Sequence, residues 1–127
     1  MNTLTKNKTP ITLGTIVTLW HDTRGHNYVA VGLDKKNKVV HFIRHNSINR
    51  DGTIHAATAD SYYSHKERSY NQFNIVGKVS TVIGTCARVD ADTLDKHFAG
   101  QGISATDLKN TQLYTTALVD RRNSTVY

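Results

Sequence analysis

The chain has 127 residues, of which 38% are hydrophobic, and its 16 Lys and Arg against 10 Asp and Glu give a formal net charge of +6 at pH 7. This length predicts a single domain over residues 1–127, large enough to bury a core without disulfides or structural metal. The lone cysteine, Cys86, excludes an internal disulfide and predicts a reducing, cytoplasmic setting.

The first nine residues are mostly polar, and we expect them to form a flexible N-terminus. They lack the apolar core of a signal peptide, and no later run approaches the roughly 20 apolar residues that cross a bilayer. We therefore expect no membrane partner.

Residues 11–44 show the alternation of side chains that is typical of β-strands, and we predict strands at 11–20, 27–33 and 39–44. The odd positions of the first strand are mostly apolar, so that face is expected to meet a core. Turn residues at 21–26 and 34–38 predict one antiparallel meander. In the second turn, Asp34 supplies a side-chain acceptor and Asn37 is expected in the left-handed conformation.

Residues 44–72 are polar and predicted to be mostly irregular, with a turn at 50–52. Asp60 is a candidate cap for a short helix over 61–69, which would place Tyr63, Lys66 and Tyr70 on one face.

The remainder of the chain combines strand and helix signals. Residues 73–85 predict one bent strand or two, with Gly77 and Gly84 as sites for a bulge. Asp90 begins a predicted helix that ends near Gly100, and residues 104–107 resemble a second helix cap. A strand at 113–119, a turn at 120–123 and an edge strand at 124–127 are expected to follow.

The two helices also permit a helix-turn-helix interpretation. Asp107 opposes it, because a carboxylate would lie where a recognition helix approaches bases and phosphates. A helical pair packed on the sheet is favoured. The predicted fold class is therefore α+β, with a curled, mainly antiparallel sheet or small barrel and a short helical C-terminal decoration.

Positive charge is concentrated in the predicted β half of the chain. Up to Arg88 there are 12 Lys and Arg against 5 Asp and Glu, a balance of +7, whereas from Val89 onward there are 4 against 5, a balance of −1. Clustered positive charge attracts polyanions, and tyrosines among cations are typical of proteins that stack on exposed bases. The candidate nucleic-acid-binding residues are Arg24, Lys35, Lys36, Lys38, Arg44, Arg50, Tyr63, Lys66, Arg68 and Tyr70. Alternatively, the tyrosines only close the open end of the barrel.

A family resemblance lies in the same segment. The stretches Gly14-Thr-Ile-Val17 and Val31-Gly-Leu-Asp34-Lys-Lys-Asn-Lys-Val39-Val, with the turn at Gly25, resemble the KOW or Tudor-type SH3-like barrel. Such barrels occur in ribosomal and transcription-associated proteins and in some small phage DNA-binding proteins. The resemblance covers about a quarter of the chain. It implies a barrel that contacts nucleic acid through its loops, by way of Arg24, Lys35, Lys36 and Lys38, and it leaves DNA versus RNA open. As the partner, we favour DNA over RNA.

Seven histidines are the main argument for an enzyme. His41 and His45 are four apart, but in a strand followed by a loop this spacing does not direct two imidazoles to one metal, so neither metal nor cofactor is expected. A metal-independent nuclease would use His41, His45 or His65 together with Lys66. A third interpretation is a small inhibitor or adaptor that docks on a protein partner. A non-enzymatic, sequence-tolerant nucleic-acid-binding protein is favoured.

Overall fold

The computed structural model describes residues 9–21, 24–49, 51–55, 62–66, 74–75, 80–85 and 89–114. Its strands are β1 (Thr9–Pro10), β2 (Thr15–His21), β3 (Arg24–Asp34), β4 (Val39–Arg44), β5 (Tyr62–Lys66), β6 (Asn74–Ile75), β7 (Ser80–Thr85) and β8 (Thr111–Leu113). Its helices are a 3₁₀ turn (His45–Ser47), α1 (Ala91–Gly100) and α2 (Ala105–Leu108). The predicted α+β class with a mainly antiparallel sheet is confirmed.

The central feature is an antiparallel sheet in the order β5-β4-β3-β2-β7, which the described strands leave open. The end of β3 also pairs with β8, where Asp34 lies opposite Thr111, and β1 pairs separately with β6. The register shifts between Ile16 and Val17 and again between Ala30 and Gly32, and such bulges curl a sheet. No helix among the described residues is long and apolar enough to span a bilayer.

The meander of β2, β3 and β4 confirms the predicted strands, with a later start for the first and an earlier start for the second. The turn predicted over 21–26 is shorter, because β2 extends to His21 and β3 begins at Arg24. Residues 11–14 form a turn instead of strand, because Gly14 has φ +85° and its backbone N–H donates to the carbonyl of Ala30 at 2.7 Å. The Thr15 N–H donates a hydrogen bond to the carbonyl of Thr12 at 3.1 Å, which closes the turn.

The turn between β3 and β4 forms as predicted, with one difference. The Asp34 carboxylate accepts hydrogen bonds from the backbone N–H of Asn37 at 3.0 Å and from its side-chain amide at 2.9 Å. The left-handed residue is Lys38, with φ 56°, and not Asn37. Because both amides of Asn37 are engaged by Asp34, the chain completes its reversal one residue later.

The helix predicted over 61–69 is wrong, because residues 62–66 form β5 and pair with β4. Aromatic residues such as those of β5 favour the extended backbone of a strand. Pairing with β4 therefore outweighs the weak helix signal of this segment. Tyr63 and Lys66 therefore lie on opposite faces of the sheet, not on one. Asp60 and Tyr70 lie outside the described residues.

Both faces of the sheet are buried, although the alternation predicted one. On one face, Ile16, Val29, Val31 and Ile43 form a core cluster with Leu94 and Phe98 of α1. On the other face, the cluster consists of Ile11, Val17, Leu19, Tyr28, Ala30, Leu33, Val40 and Phe42. The helix α1 covers the face that carries Ile16, and the side-chain alternation of β2 did not predict that this face is buried.

The helical segment follows the sequence signals closely. Asp90 caps α1 by accepting a hydrogen bond from the Thr93 N–H at 3.1 Å, and the helix ends at Gly100. Ser104 and Asp107 exchange capping hydrogen bonds at the start of α2. With four residues, α2 is too short for a recognition helix, which removes the helix-turn-helix alternative.

The remaining predictions are met in part. Residues 73–85 contain two strands, β6 and β7, and Gly84 lies at the bulge opposite Ile16. The strand predicted over 113–119 meets β8, which begins earlier and covers Thr111–Leu113, and residues 115–119 lie outside the described residues. Gly77, residues 1–8 of the predicted flexible N-terminus and the turn and edge strand predicted over 120–127 lie outside the described residues.

Candidate functional site

Five lysines converge at one end of the sheet. Lys35 and Lys36 are exposed at the tip of the β3–β4 turn, and Lys38 immediately precedes β4. Lys66 is exposed, and the strand register places it at the same end, directly opposite Val39. Lys109 is also exposed and comes two residues before Thr111, the partner of Asp34. These residues, Lys35, Lys36, Lys38, Lys66 and Lys109, are called the lysine end below.

The conformation of the turn explains how the lysines are displayed. Asp34 is only 6% exposed because its carboxylate holds both amides of Asn37. The negative charge is thus directed inward, while Lys35 and Lys36 are exposed to water. Sequence analysis identified Lys35, Lys36, Lys38 and Lys66 but not Lys109, because only the pairing of β8 with β3 brings it there.

Two other predicted nucleic-acid-binding residues lie away from the lysine end. Arg24 pairs through its backbone with His21, at the opposite end of the 11-residue strand β3. Arg44 is half-buried at the far end of β4, on the order of 17 Å from Val39 at 3.4 Å per residue. Arg24 and Arg44 therefore lie on strands at a distance from the lysine end. Arg50, Arg68 and Tyr70 lie outside the described residues.

Tyr63 belongs largely to the core. Its ring centroid lies 6.0 Å from that of Tyr28 and 6.2 Å from that of Phe42, and it stacks at 6.4 Å on His65. Burial raises the pKa of the Tyr63 hydroxyl. This packing fits the alternative in which a tyrosine closes the sheet, and it removes Tyr63 from the lysine end.

A cleft of about 220 Å³ opens beside the lysine end, on the face of the sheet that carries α1. Asp34, His41 and Tyr62 come from three neighbouring strands and share this face by register. Gly32 lies opposite His41, and a Cβ there would be 3.0 Å from Thr111 Cγ2 and 3.3 Å from His41 Cδ2. The missing side chain of Gly32 therefore leaves room for the side chains of His41 and Thr111, which flank it from β4 and β8. The lining consists of Asp34, Asn37, Val39, His41, Tyr62, Ser64, Ile103, Asp107 and Thr111.

His41 and Tyr62 form the best-defined polar contact in the cleft. His41 Nδ1 lies 2.6 Å from the Tyr62 hydroxyl, and the two rings stack with centroids 5.9 Å apart. Phe98 supports both from α1, at 5.4 Å from the His41 ring and 5.9 Å from the Tyr62 ring. The pair is therefore held in place by both a hydrogen bond and aromatic packing.

Burial also fixes the charge of this pair. It lowers the pKa of His41 below its ordinary value of 6.5, against a smaller opposing effect of the Asp34 carboxylate. It raises the pKa of the Tyr62 hydroxyl, and a hydrogen bond to Ser64 acts in the opposite direction. At neutral pH the imidazole is therefore uncharged and the phenol is protonated, so the pair offers neutral hydrogen-bonding groups.

The histidines proposed for a nuclease are not brought together. His65 lies opposite Val40 and so shares its face, whereas His41 lies on the other face. His45 is buried in the 3₁₀ turn beyond β4. In the described part of the chain, no three His, Cys, Asp or Glu side chains are arranged to hold a metal ion.

The cleft was not predicted from the sequence, because Tyr62 and Ser64 fell in a predicted helix and lie in β5 instead. The alternation of Tyr62, Ser64 and Lys66 with Tyr63 and His65 was the available strand signal. Asp107 was identified only as a helix cap. Comparisons with protein-family models, curated proteins and solved structures found no match for this chain.

Proposed function

We propose that this protein binds nucleic acid through phosphate contacts made by the lysine end, with little sequence preference. The observation that carries the proposal is the convergence of Lys35, Lys36, Lys38, Lys66 and Lys109 from three separate segments of the chain. Cations that bind a regularly spaced phosphate backbone release its counterions, which supplies affinity without reading bases.

The charge balance at this end supports the proposal. Among the described residues, two carboxylates lie close to the five lysines, those of Asp34 and Asp107. Asp34 is buried and engaged by Asn37, and Asp107 caps α2 through Ser104. An excess of positive charge therefore faces the solvent. The curled meander is compatible with an SH3-like barrel, and we include that fold in the proposal.

The experiment measures binding of fluorescently labelled single-stranded DNA, duplex DNA and RNA of equal length by anisotropy at low salt. The main variant combines Lys35→Gln, Lys36→Gln and Lys38→Gly, since glycine at position 38 removes the charge and accommodates φ 56° without strain. An exposed ion pair contributes up to about 1 kcal/mol, so each lost contact is expected to weaken binding up to about fivefold.

Lys66→Gln and Lys96→Gln form a matched pair, because both lysines are exposed and only Lys66 belongs to the lysine end. We expect Lys66→Gln to weaken binding to all sequences and Lys96→Gln to leave it almost unchanged. Unaltered affinity in the triple variant, with its fold retained, would contradict the proposal and favour an adaptor or inhibitor that docks on a protein.

A further inference from the structure

The cleft beside the lysine end is rich in acceptors and does not suit a phosphate. Asp34 and Asp107 contribute carboxylates, and His41 and Tyr62 contribute neutral ring groups. A phosphate entering this space would meet like charge, and no Lys or Arg is among the described residues that line it. The occupant must therefore carry hydrogen-bond donors and no negative charge.

Asp107 is the most suitable acceptor for such an occupant. Its Oδ2 accepts the hydrogen bonds from the backbone N–H and the hydroxyl of Ser104, at 3.2 and 3.0 Å. Its second oxygen, Oδ1, has no hydrogen-bond partner among the described residues. By contrast, both oxygens of Asp34 are occupied by Asn37.

The size and walls of the cleft further restrict the occupant. Its volume of about 220 Å³ is smaller than the roughly 300–1,000 Å³ of a typical ligand pocket, so it suits one ring and not a whole cofactor. Val39 and Ile103 supply apolar wall, and Tyr62 and His41 supply aromatic wall. A planar, neutral ring with N–H donors matches these surfaces.

The position of the cleft connects this ring to the phosphate contacts. Val39 lines the cleft and pairs with Lys66, and Asp34 opens the turn that carries Lys35 and Lys36. Asp107 lies two residues from Lys109. A nucleotide with its base in the cleft would therefore have its phosphates next to the lysine end.

We propose that the cleft binds one unpaired, amine-bearing nucleobase of a strand whose backbone is held by the lysine end. The inference rests on the proposed function, because the lysine contacts bring the strand to the cleft. The class comprises adenine, cytosine and guanine, whose exocyclic amines donate to Asp107. Thymine and uracil lack that amine, and their one available N–H lies between two carbonyl oxygens that would face the carboxylate, so they are the disfavoured bases. A base inside a duplex cannot enter without unpairing, so single strands are favoured.

The test compares three single strands of equal length and charge. One is abasic throughout, the second carries a single central adenine, and the third carries a single central thymine. We expect the adenine strand to bind roughly tenfold more tightly than the abasic strand, as one well-bound base contributes on that scale, and the thymine strand to lie between them.

Asp107→Asn is expected to remove most of the preference for adenine over the abasic strand, while binding of the abasic strand is kept or improved. Asp95→Asn makes the same charge change on an exposed residue of α1 outside the cleft, and it should retain the preference. Tyr62→Phe, which keeps the ring and removes the hydroxyl beside His41, should reduce the preference without changing abasic binding.

The outcomes separate this inference from the function on which it rests. Equal, salt-sensitive affinity for all three strands would overturn the nucleobase site and leave the lysine contacts standing. Binding to none of the strands would overturn the proposed function itself. If instead an arginine-bearing peptide binds and Asp107→Asn abolishes that binding, the cleft accepts a cationic side chain of a protein partner, and the inference is wrong.

Discussion

Gly14 occupies a backbone position that other residues fit poorly. Its φ is +85°, and a Cβ built there would lie 2.8 Å from Tyr114 Cε1. Gly14→Ala is therefore expected to lower the free energy of unfolding by about 1–3 kcal/mol, since strain and overlap act together. Urea denaturation measures the change. The control is Gly100→Ala, because a Cβ on Gly100 has no neighbour within 4 Å. Equal loss of stability in both variants would show that Gly14 is not strained.

Two buried histidines predict how stability depends on pH. Burial lowers the pKa of His97, as it does that of His41, and His97 Nε2 has no hydrogen-bond partner among the described residues. The unfolded chain protonates these two histidines more readily than the folded chain does. Their contribution to the free energy of unfolding is therefore fully present above the ordinary pKa of 6.5, and it is lost as the pH falls through their folded pKa values.

The free energy of unfolding should consequently decrease on acidification below pH 6.5, and His97→Gln should make that decrease shallower. Denaturant titrations at a series of pH values measure the slope. His55→Gln is the matched control, since His55 is exposed and lies outside the cluster of His41, Tyr62, His97 and Phe98. A slope equally reduced in both variants would rule out the cluster as its source.

At the scale of elements, α1 depends on its N-terminal cap. The Asp90 carboxylate accepts hydrogen bonds from the backbone N–H and the hydroxyl of Thr93, at 3.1 and 3.0 Å. Asp90→Ala should therefore destabilise the protein by about 1 kcal/mol, in the range found for lost caps. Thermal unfolding compares it with Asp95→Ala, an exposed change later in the same helix. Similar effects of the two changes would assign the loss to charge and not to capping.

Local signals predicted the elements that local chemistry determines. Alternation predicted the meander, side-chain acceptors predicted the turn at Asp34, and caps predicted both helix starts at Asp90 and Ser104. β5 was missed because its strand conformation comes from pairing with β4 and not from its own five residues. The left-handed residue of the turn shifted to Lys38 for a similar reason, since hydrogen bonds to Asp34 fixed the preceding residue.

The candidate site was predictable only in the part that lies in one turn. Lys35, Lys36 and Lys38 are adjacent in sequence, so their charge was visible without a fold. Lys66 and Lys109 reach the same end through the pairing of β5 with β4 and of β8 with β3. The cleft depends on the same two pairings and on the absence of a Cβ at Gly32, and no local pattern encodes them.

At the scale of the whole molecule, the faces of the sheet are buried and a cluster of positive charge lies at one end. Both of its faces carry buried core clusters, and the lysine end lies at one end of the sheet. The backbone of Arg24 and the β3–β4 turn lie at opposite ends of the 11-residue strand β3, so Arg24 lies apart from the lysine end. Phosphate contacts at the lysine end should therefore be few and localised. Their number can be obtained from the dependence of binding affinity on salt concentration.

The most direct test is the slope of the logarithm of affinity for single-stranded DNA against the logarithm of salt concentration. Five phosphate contacts at about 0.7 per contact predict a slope near −3.5 for the unaltered protein. Lys66→Gln should make the slope shallower by about 0.7, whereas Lys96→Gln should leave it unchanged. A slope near zero, or one that both variants change equally, would contradict binding at the lysine end.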